Sequence, residues 1–219
     1  MNMELNEIEI EIYEDREDEV VYLSSTVNYH NITKDDMLNG DGLRVVLWLA
    51  GCTHHCKECQ NPITWDPDGG LPFTQWEESE FYEALSKPYI EGATFSGGDP
   101  LHPRNRDFVG KMMKNIKEKY STKTNWLYTG FRLVYEDGWK LSDEWGNTFE
   151  YEYLKYIDVL VDGKFECTTR QRDIEGGTYV PWRGSSNQRI IDIQETLKQG
   201  KIITRIYDKT GNVRLMEEI

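Results

Sequence analysis

Cys52, Cys56 and Cys59 constrain this chain more than any other feature, because they crowd three thiols into one short loop with the spacing C-x3-C-x2-C. An apolar run at 43–50 precedes them and has the pattern of a buried strand, so the fold must join a strand end to a polar cysteine loop. Three thiolates on such a loop can bind three corners of one iron–sulfur cluster. No fourth cysteine lies nearby, which would leave one iron of a [4Fe–4S] cluster open to an outside ligand. The pattern therefore predicts a catalytic cluster.

Cysteine usage and charge narrow the class of protein further. The fourth cysteine, Cys167, stands alone, whereas a secreted disulfide framework would spread its cysteines in pairs. We interpret Cys167 as a buried or inert thiol. The net charge of −14 would repel a phosphate backbone, which argues against nucleic acid as a general partner. The acidic N-terminus does not resemble a signal peptide, and no apolar run is long enough to span a bilayer. These features indicate a cytoplasmic protein without a membrane partner.

Apolar runs alternate with helical or loop segments along the chain. Ile8, Ile10 and Ile12 share one face and, with the apolar run at 20–23, predict an N-terminal β-hairpin. The capping-box spacing of Thr74 and Glu77 predicts a helix that runs to about residue 85. Further buried strands are predicted at 93–95, 125–128 and 157–161, a helix at 105–120, and a surface insertion at 135–150. Repeated β–α units predict an α/β fold with a mainly parallel sheet and ligand sites at its C-terminal edge.

Two other interpretations of the cysteine loop remain open at this stage. A structural zinc site could combine the three cysteines with His54 or His55, although such sites usually take their ligands as two separated pairs. The cysteines could also be buried without any ligand, although three thiols so close together on a polar loop would oxidise easily. We expect both histidines to be exposed loop residues.

The cysteine pattern, preceded by Gly51, resembles the signature of the radical S-adenosylmethionine enzymes. The wider match resembles the activating proteins of glycyl radical enzymes, and its last three stretches resemble the branch that activates anaerobic ribonucleoside-triphosphate reductase. The matching stretches are 39–44, 59–65, 96–101, 126–130, 161–166 and 182–189.

This resemblance implies a fold and a domain division. The fold would be α/β, a reduced and partly open (β/α)6-type barrel with the cluster at its C-terminal edge and an N-terminal β-hairpin extension. Residues 1–28 would form that extension, 29–203 the radical S-adenosylmethionine domain, and 204–219 a C-terminal tail.

The resemblance also implies a cofactor set. Cys52, Cys56 and Cys59 would bind a [4Fe–4S] cluster, and S-adenosylmethionine would chelate its open iron through the amino and carboxylate groups. One electron from the reduced cluster would then cleave the sulfonium to give methionine and a 5′-deoxyadenosyl radical.

Several residues would bind S-adenosylmethionine by the same resemblance. The motif at 96–99 would receive the methionine ammonium through backbone carbonyls and the Asp99 carboxylate. Lys164 would meet the methionine carboxylate, and Asp162 the amino group or the ribose. The full set of expected cofactor-binding residues is Glu58, Gln60, Gly97, Gly98, Asp99, Thr129, Asp162 and Lys164, with the backbone of Glu58 and Gln60 near adenine.

The function implied is the generation of a glycyl radical on anaerobic ribonucleoside-triphosphate reductase, with electrons from a flavodoxin-like donor. A radical enzyme acting on a small molecule, of the deazapurine-forming kind, is the alternative within enzymes. A zinc-bound interaction module is the alternative from another class.

Overall fold

The structure, a computed structural model, describes residues 27–170, 181–208 and 210–218. The hairpin predicted near the N-terminus lies outside these residues. Within the described ranges no helix has the length and apolar character needed to cross a membrane.

Two sheets contain the strands of the described residues. Nine strands form the main sheet in the order β12-β11-β10-β9-β5-β4-β2-β1-β3, and β6, β7 and β8 form a second, antiparallel sheet. In chain order the strands are β1 Asn28–Asp36, β2 Leu43–Leu49, β3 Leu71–Pro72, β4 Ile90–Gly97, β5 Thr124–Tyr128, β6 Arg132–Tyr135, β7 Trp139–Ser142, β8 Thr148–Phe149, β9 Val159–Asp162, β10 Arg189–Asp192, β11 Ile203–Tyr207 and β12 Val213–Glu217.

The expected α/β fold, a reduced and partly open (β/α)6 barrel, is wrong. The described chain is mostly β-sheet and contains only three α-helices, α1 Gln75–Ser86, α2 Arg106–Lys119 and α3 Ile193–Gln199. Parallel pairing is confined to β2, β4, β5 and β9, and the other strand pairs of the main sheet are antiparallel. After β5 the alternation of strand and helix is interrupted, because the next segment folds into the second sheet. Farther on, α3 connects the antiparallel strands β10 and β11, and the C-terminal segment pairs as the hairpin β11–β12.

The two helices expected from local pattern are confirmed. At the start of α1, the Thr74 hydroxyl accepts a hydrogen bond from the Trp76 N–H at 3.2 Å, and the Glu77 carboxylate accepts one from the Thr74 N–H at 2.8 Å. These bonds satisfy N–H groups that a helix terminus would otherwise leave without partners. In α2, Met112 and Ile116 are fully buried against the sheet, as their spacing of four predicts.

Both faces of the main sheet are buried at β5 and β9. Alternate residues of β5 and β9 belong to different apolar clusters: Leu127 and Leu160 face the helices, whereas Trp126, Val159 and Val161 face the other side. This period of two is the ordinary geometry of a strand.

A buried arginine fixes the loop between β1 and β2. Arg44 donates hydrogen bonds to the Thr94 hydroxyl at 2.7 Å and to three backbone carbonyls, and its guanidinium lies 5.4 Å from the Trp126 ring centroid. A Cβ at Gly40 would lie 2.7 Å from the Arg44 side chain, so only glycine lets the loop pack this closely. The loop thereby brings Asn39 to the C-terminal edge of the sheet, where the Asn39 carbonyl accepts the Thr94 hydroxyl at 2.8 Å.

Substitution of Gly92 tests the close packing of β4 against β5. A Cβ there would lie 2.0 Å from the Thr124 carbonyl oxygen, so we expect Gly92→Ala to reduce the free energy of unfolding by about 3 kcal/mol through overpacking. Gly146→Ala is the control, because no atom lies within 4 Å of its added methyl group and only left-handed strain of about 1–2 kcal/mol should result. Urea unfolding followed by circular dichroism measures both losses. Equal losses would contradict the packing argument.

Candidate cluster site

The cysteine loop begins where β2 ends and is closed by backbone hydrogen bonds. The N–H groups of Gly51 and Cys52 donate to the carbonyls of Thr64 and Trp65, at 2.8 and 3.0 Å. Farther along, the Cys59 sulfur accepts the Asn61 N–H at 3.3 Å. The three thiols are therefore held on an ordered loop and not on an open connection.

All three cysteines line one cavity of about 210 Å3 at the C-terminal edge of the parallel strands. The end of β4 contributes Ser96 through Asp99, and the end of β5 contributes Tyr128, Thr129 and Gly130. The remaining walls come from the β1–β2 loop, β2, the cysteine loop and the segment after β9, through Asn39, Trp48, His54, Gln60, Asn61, Gly163, Phe165, Gly184 and Gln188.

Two glycines let the end of β4 press against the cysteine loop. Gly97 has φ +100°, and a Cβ at Gly98 would lie 2.4 Å from the Gly51 carbonyl oxygen. That same carbonyl accepts the Asp99 N–H at 2.7 Å. Larger residues at 97 and 98 would push the loop away from the sheet, so this motif sets the cavity's width.

Asp99 is buried in the cavity wall, where its carboxylate is held by other residues of the chain. It accepts the Leu101 N–H at 2.7 Å, the Gly130 N–H at 2.9 Å and the Thr129 hydroxyl at 2.9 and 3.0 Å. His54 Nε2 lies 2.7 Å from the same carboxylate.

The expectation that His54 is exposed is wrong, whereas His55 is exposed as expected. Only 8% of His54 is accessible, and its ring packs edge-on against Phe131 with the centroids 4.7 Å apart. The ring of His55 lies 4.9 Å from that of Trp65. His54 is thus a site residue that the sequence analysis missed.

Three expected cofactor-binding residues do not line the cavity. Asp162 is fully buried and accepts hydrogen bonds from Arg189 and from the Leu133 N–H. The Lys164 ammonium lies 2.8 Å from both carboxylate oxygens of Glu144, in the turn between β7 and β8.

Glu58 is the third of these residues. It is exposed, with φ +58°, and its carbonyl accepts a hydrogen bond from Arg170 at 3.0 Å. By contrast, the cavity wall brings together the three cysteines with Gln60, Gly97, Gly98, Asp99 and Thr129. Their roles toward a cofactor remain predictions.

The surroundings of the thiols favour their protonated form when no metal is bound. Burial, together with the nearby Asp99 carboxylate, raises the pKa of the Cys52 thiol to about 12. Burial also raises the pKa of the Cys56 thiol, against the opposing effects of the Phe165 N–H and the Lys164 charge. These thiols would stay protonated without iron, and metal binding would release their protons.

The donors present fit a cluster that keeps one iron open. Within the described ranges no three His, Cys, Asp or Glu side chains converge on one point, as the ligands of a single metal ion would. Cluster ligands bind separate irons, and His54 is engaged by Asp99. Tyr128 also lines the cavity, although its hydroxyl is itself buried, and burial raises the pKa of that hydroxyl.

A larger cavity of about 650 Å3 lies elsewhere, beside the start of α2 and the second sheet. Its lining includes Arg106, Phe149, Tyr151 and Tyr153 but no thiol. We therefore identify the cysteine cavity as the candidate site because three thiols line it, although the other cavity is larger.

Comparisons with known proteins agree with this site. A family described as a 4Fe-4S single cluster domain matches residues 38–191, a range that contains the cysteine loop and every residue lining the cavity. The anaerobic ribonucleoside-triphosphate reductase-activating protein of Enterobacteria phage T4 is 39% identical over 164 residues, which cover 75% of this chain and 93% of the relative. The proteins of the same name from Pasteurella multocida and Escherichia coli K12 are each 37% identical, cover 75% and 74% of this chain, and are themselves covered to 96%.

The cysteine loop yields a direct test of the metal site. We expect alanine at Cys52, Cys56 or Cys59 to prevent stable assembly of a [4Fe–4S] cluster, because each thiolate holds a separate corner. Iron and sulfide analysis with visible absorption, after anaerobic reconstitution, measures the loss. Cys167→Ala is the matched control and should keep the full iron content, since Cys167 lies outside the cavity wall. A Cys56→Ala protein with unchanged iron would contradict the assignment.

Proposed function

The chain belongs to the family of anaerobic ribonucleoside-triphosphate reductase-activating proteins, and on that premise we propose that it generates a glycyl radical on such a reductase. The observation that carries the proposal is the single cavity that three cysteines share with the glycine-rich end of β4. The chemistry needs a cluster with one open iron and a pocket beside it for S-adenosylmethionine.

We assign the cluster to Cys52, Cys56 and Cys59, with S-adenosylmethionine in the adjoining part of the cavity. The reduced cluster and S-adenosylmethionine would together supply one-electron cleavage of the sulfonium, with release of methionine and transfer of a hydrogen atom from a glycine Cα of the reductase to the 5′-deoxyadenosyl group. The chain's own work is to hold the reactants in place and to keep water away from them.

Neutral groups of the chain are suited to orient S-adenosylmethionine. Gly97 and Gly98 line the cavity without side chains, so we assign their backbone carbonyl oxygens to the ligand ammonium. Phe165 contributes an apolar wall that limits the entry of water.

Lys164 is the cation that we assign to the methionine carboxylate. Its charge reaches the site, since it opposes the rise in the Cys56 pKa. The ammonium would have to exchange Glu144 for the ligand, and both partners of that pair are partly exposed. Exposed pairs contribute only about 0–1 kcal/mol, so the exchange costs little.

The electron donor and the compartment follow from the same chemistry. We propose a flavodoxin-like carrier as donor, because cleavage of the sulfonium needs a low-potential electron. Free thiols on a partly exposed loop suit the reducing cytoplasm, where we place the reaction.

The decisive experiment uses the reduced holoprotein with S-adenosylmethionine and the cognate reductase. We expect a glycyl doublet by electron paramagnetic resonance and consumption of the cofactor. Methionine release without the doublet would favour a small-molecule substrate, and no cleavage at all would overturn the proposal.

The Lys164–Glu144 pair predicts opposite effects of two substitutions. Lys164→Ala should weaken S-adenosylmethionine binding by about tenfold or more, because a charge-assisted bond to the carboxylate is lost. Glu144→Gln should strengthen binding, because it frees the ammonium. Equilibrium binding to the cluster-loaded protein gives both values. Unchanged affinity in Lys164→Ala would remove Lys164 from the site.

A further inference from the structure

We propose that His54 and Asp99 form a clamp that sets the position of the cysteine loop, and that Asp99 is a positioning residue and not a ligand of the methionine ammonium. This inference rests on the proposed function, because it concerns the geometry of cluster and S-adenosylmethionine in that reaction. It departs from the role expected for Asp99 by resemblance.

The Asp99 carboxylate has no acceptor capacity left for a ligand. A carboxylate offers about four lone-pair sites. Four groups already contact them: the Leu101 N–H, the Gly130 N–H, His54 Nε2 and the Thr129 hydroxyl, whose one hydrogen is shared between both oxygens. An ammonium would have to displace one of these donors in a site where Asp99 is 2% exposed. Displacement would leave a buried donor without a partner, which is unfavourable.

The slot around His54 accepts one ring orientation. Asp99 lies at one edge of the ring, and Phe131 packs edge-on beside it at 4.7 Å. Gly130 closes the slot, because a Cβ there would lie 2.4 Å from His54 Cδ2. The His54 side chain is therefore enclosed, although His54 belongs to a polar loop.

The clamp acts on the thiols through the loop itself. His54 is the middle residue of the three that separate Cys52 from Cys56. Asp99 holds this segment at two points: its N–H donates to the Gly51 carbonyl at 2.7 Å, and its carboxylate binds His54. The first two cysteines are therefore tied to the strand ends that form the rest of the cavity.

Loss of the clamp should leave the three thiols able to bind iron but should shift the cluster relative to S-adenosylmethionine. His54→Ala removes the contact. His54→Gln restores a donor at the position of Nε2 and should rescue it. His55→Asn is the matched control, because His55 is the exposed neighbour and asparagine tolerates its left-handed backbone.

The experiment measures three properties of the reconstituted protein without any reductase: iron content, affinity for S-adenosylmethionine, and the change that this cofactor causes in the electron paramagnetic resonance spectrum of the reduced cluster. We expect His54→Ala to keep its iron, to bind the cofactor about tenfold more weakly and to lose the spectral change. His54→Gln should return to within about threefold of the unaltered protein, and His55→Asn should match it.

A double-mutant cycle separates the clamp from an ammonium ligand. Asp99→Asn should lose at least as much affinity as His54→Ala, because the new amide also faces the donors of Leu101, Thr129 and Gly130. Adding His54→Ala to Asp99→Asn should cause no further loss, because the contact between the two side chains is already gone. An Asp99→Asn defect with normal His54→Ala binding would overturn the inference, as would additive losses. If Asp99→Asn does not fold, the comparison of His54→Ala with His54→Gln decides alone. A missing glycyl doublet would count against the proposed function but not against these binding results.

Discussion

The hydrogen bond from the Asp99 N–H to the Gly51 carbonyl joins the cysteine loop to the end of β4, and the rest of the site depends on it. It forms only because residue 98 lacks a Cβ, which would otherwise lie 2.4 Å from that carbonyl oxygen. With the two backbones in contact, the thiols face the ends of β4 and β5 across a cavity of about 210 Å3. The glycines matter here because they let two backbone segments approach closely, and not because they are flexible.

Much of this site could be predicted from short stretches of the sequence. Three of its features are short motifs: the cysteine spacing, the apolar run of β2 and the Gly97-Gly98 pair. Each predicts local structure that does not depend on how distant strands pair. The capping box of α1 and the four-residue spacing in α2 were predictable for the same reason. Several predicted site residues therefore meet in one cavity although the fold class was wrong.

The predictions that were wrong concern contacts between segments that are distant in the sequence. The C-terminal hairpin and the second sheet replaced the expected β–α repeats, because short alternating runs can pair as strands wherever an edge is open to them. His54 has no periodic pattern around it, so nothing in the loop's sequence shows that it turns inward to Asp99, 45 residues away. Tyr128 could have been predicted as a cavity residue. Alternation along β5 puts it on the same face as Trp126, and it ends the strand at the edge where ligands bind.

The charged groups around the loop fall into two classes by burial. The Asp162–Arg189 ion pair is buried, and removing one partner of a buried ion pair typically costs about 3–5 kcal/mol. The buried Asp99 carboxylate is held by hydrogen bonds with His54, Thr129 and two backbone N–H groups. Glu144 with Lys164, and Glu58 with Arg170, are partly exposed, and such pairs contribute about 0–1 kcal/mol. A ligand can therefore exchange partners with the exposed pairs but not with the buried ones. The buried carboxylates therefore maintain the shape of the cavity, whereas the contact that we propose between Lys164 and a ligand carboxylate would replace only a partly exposed ion pair.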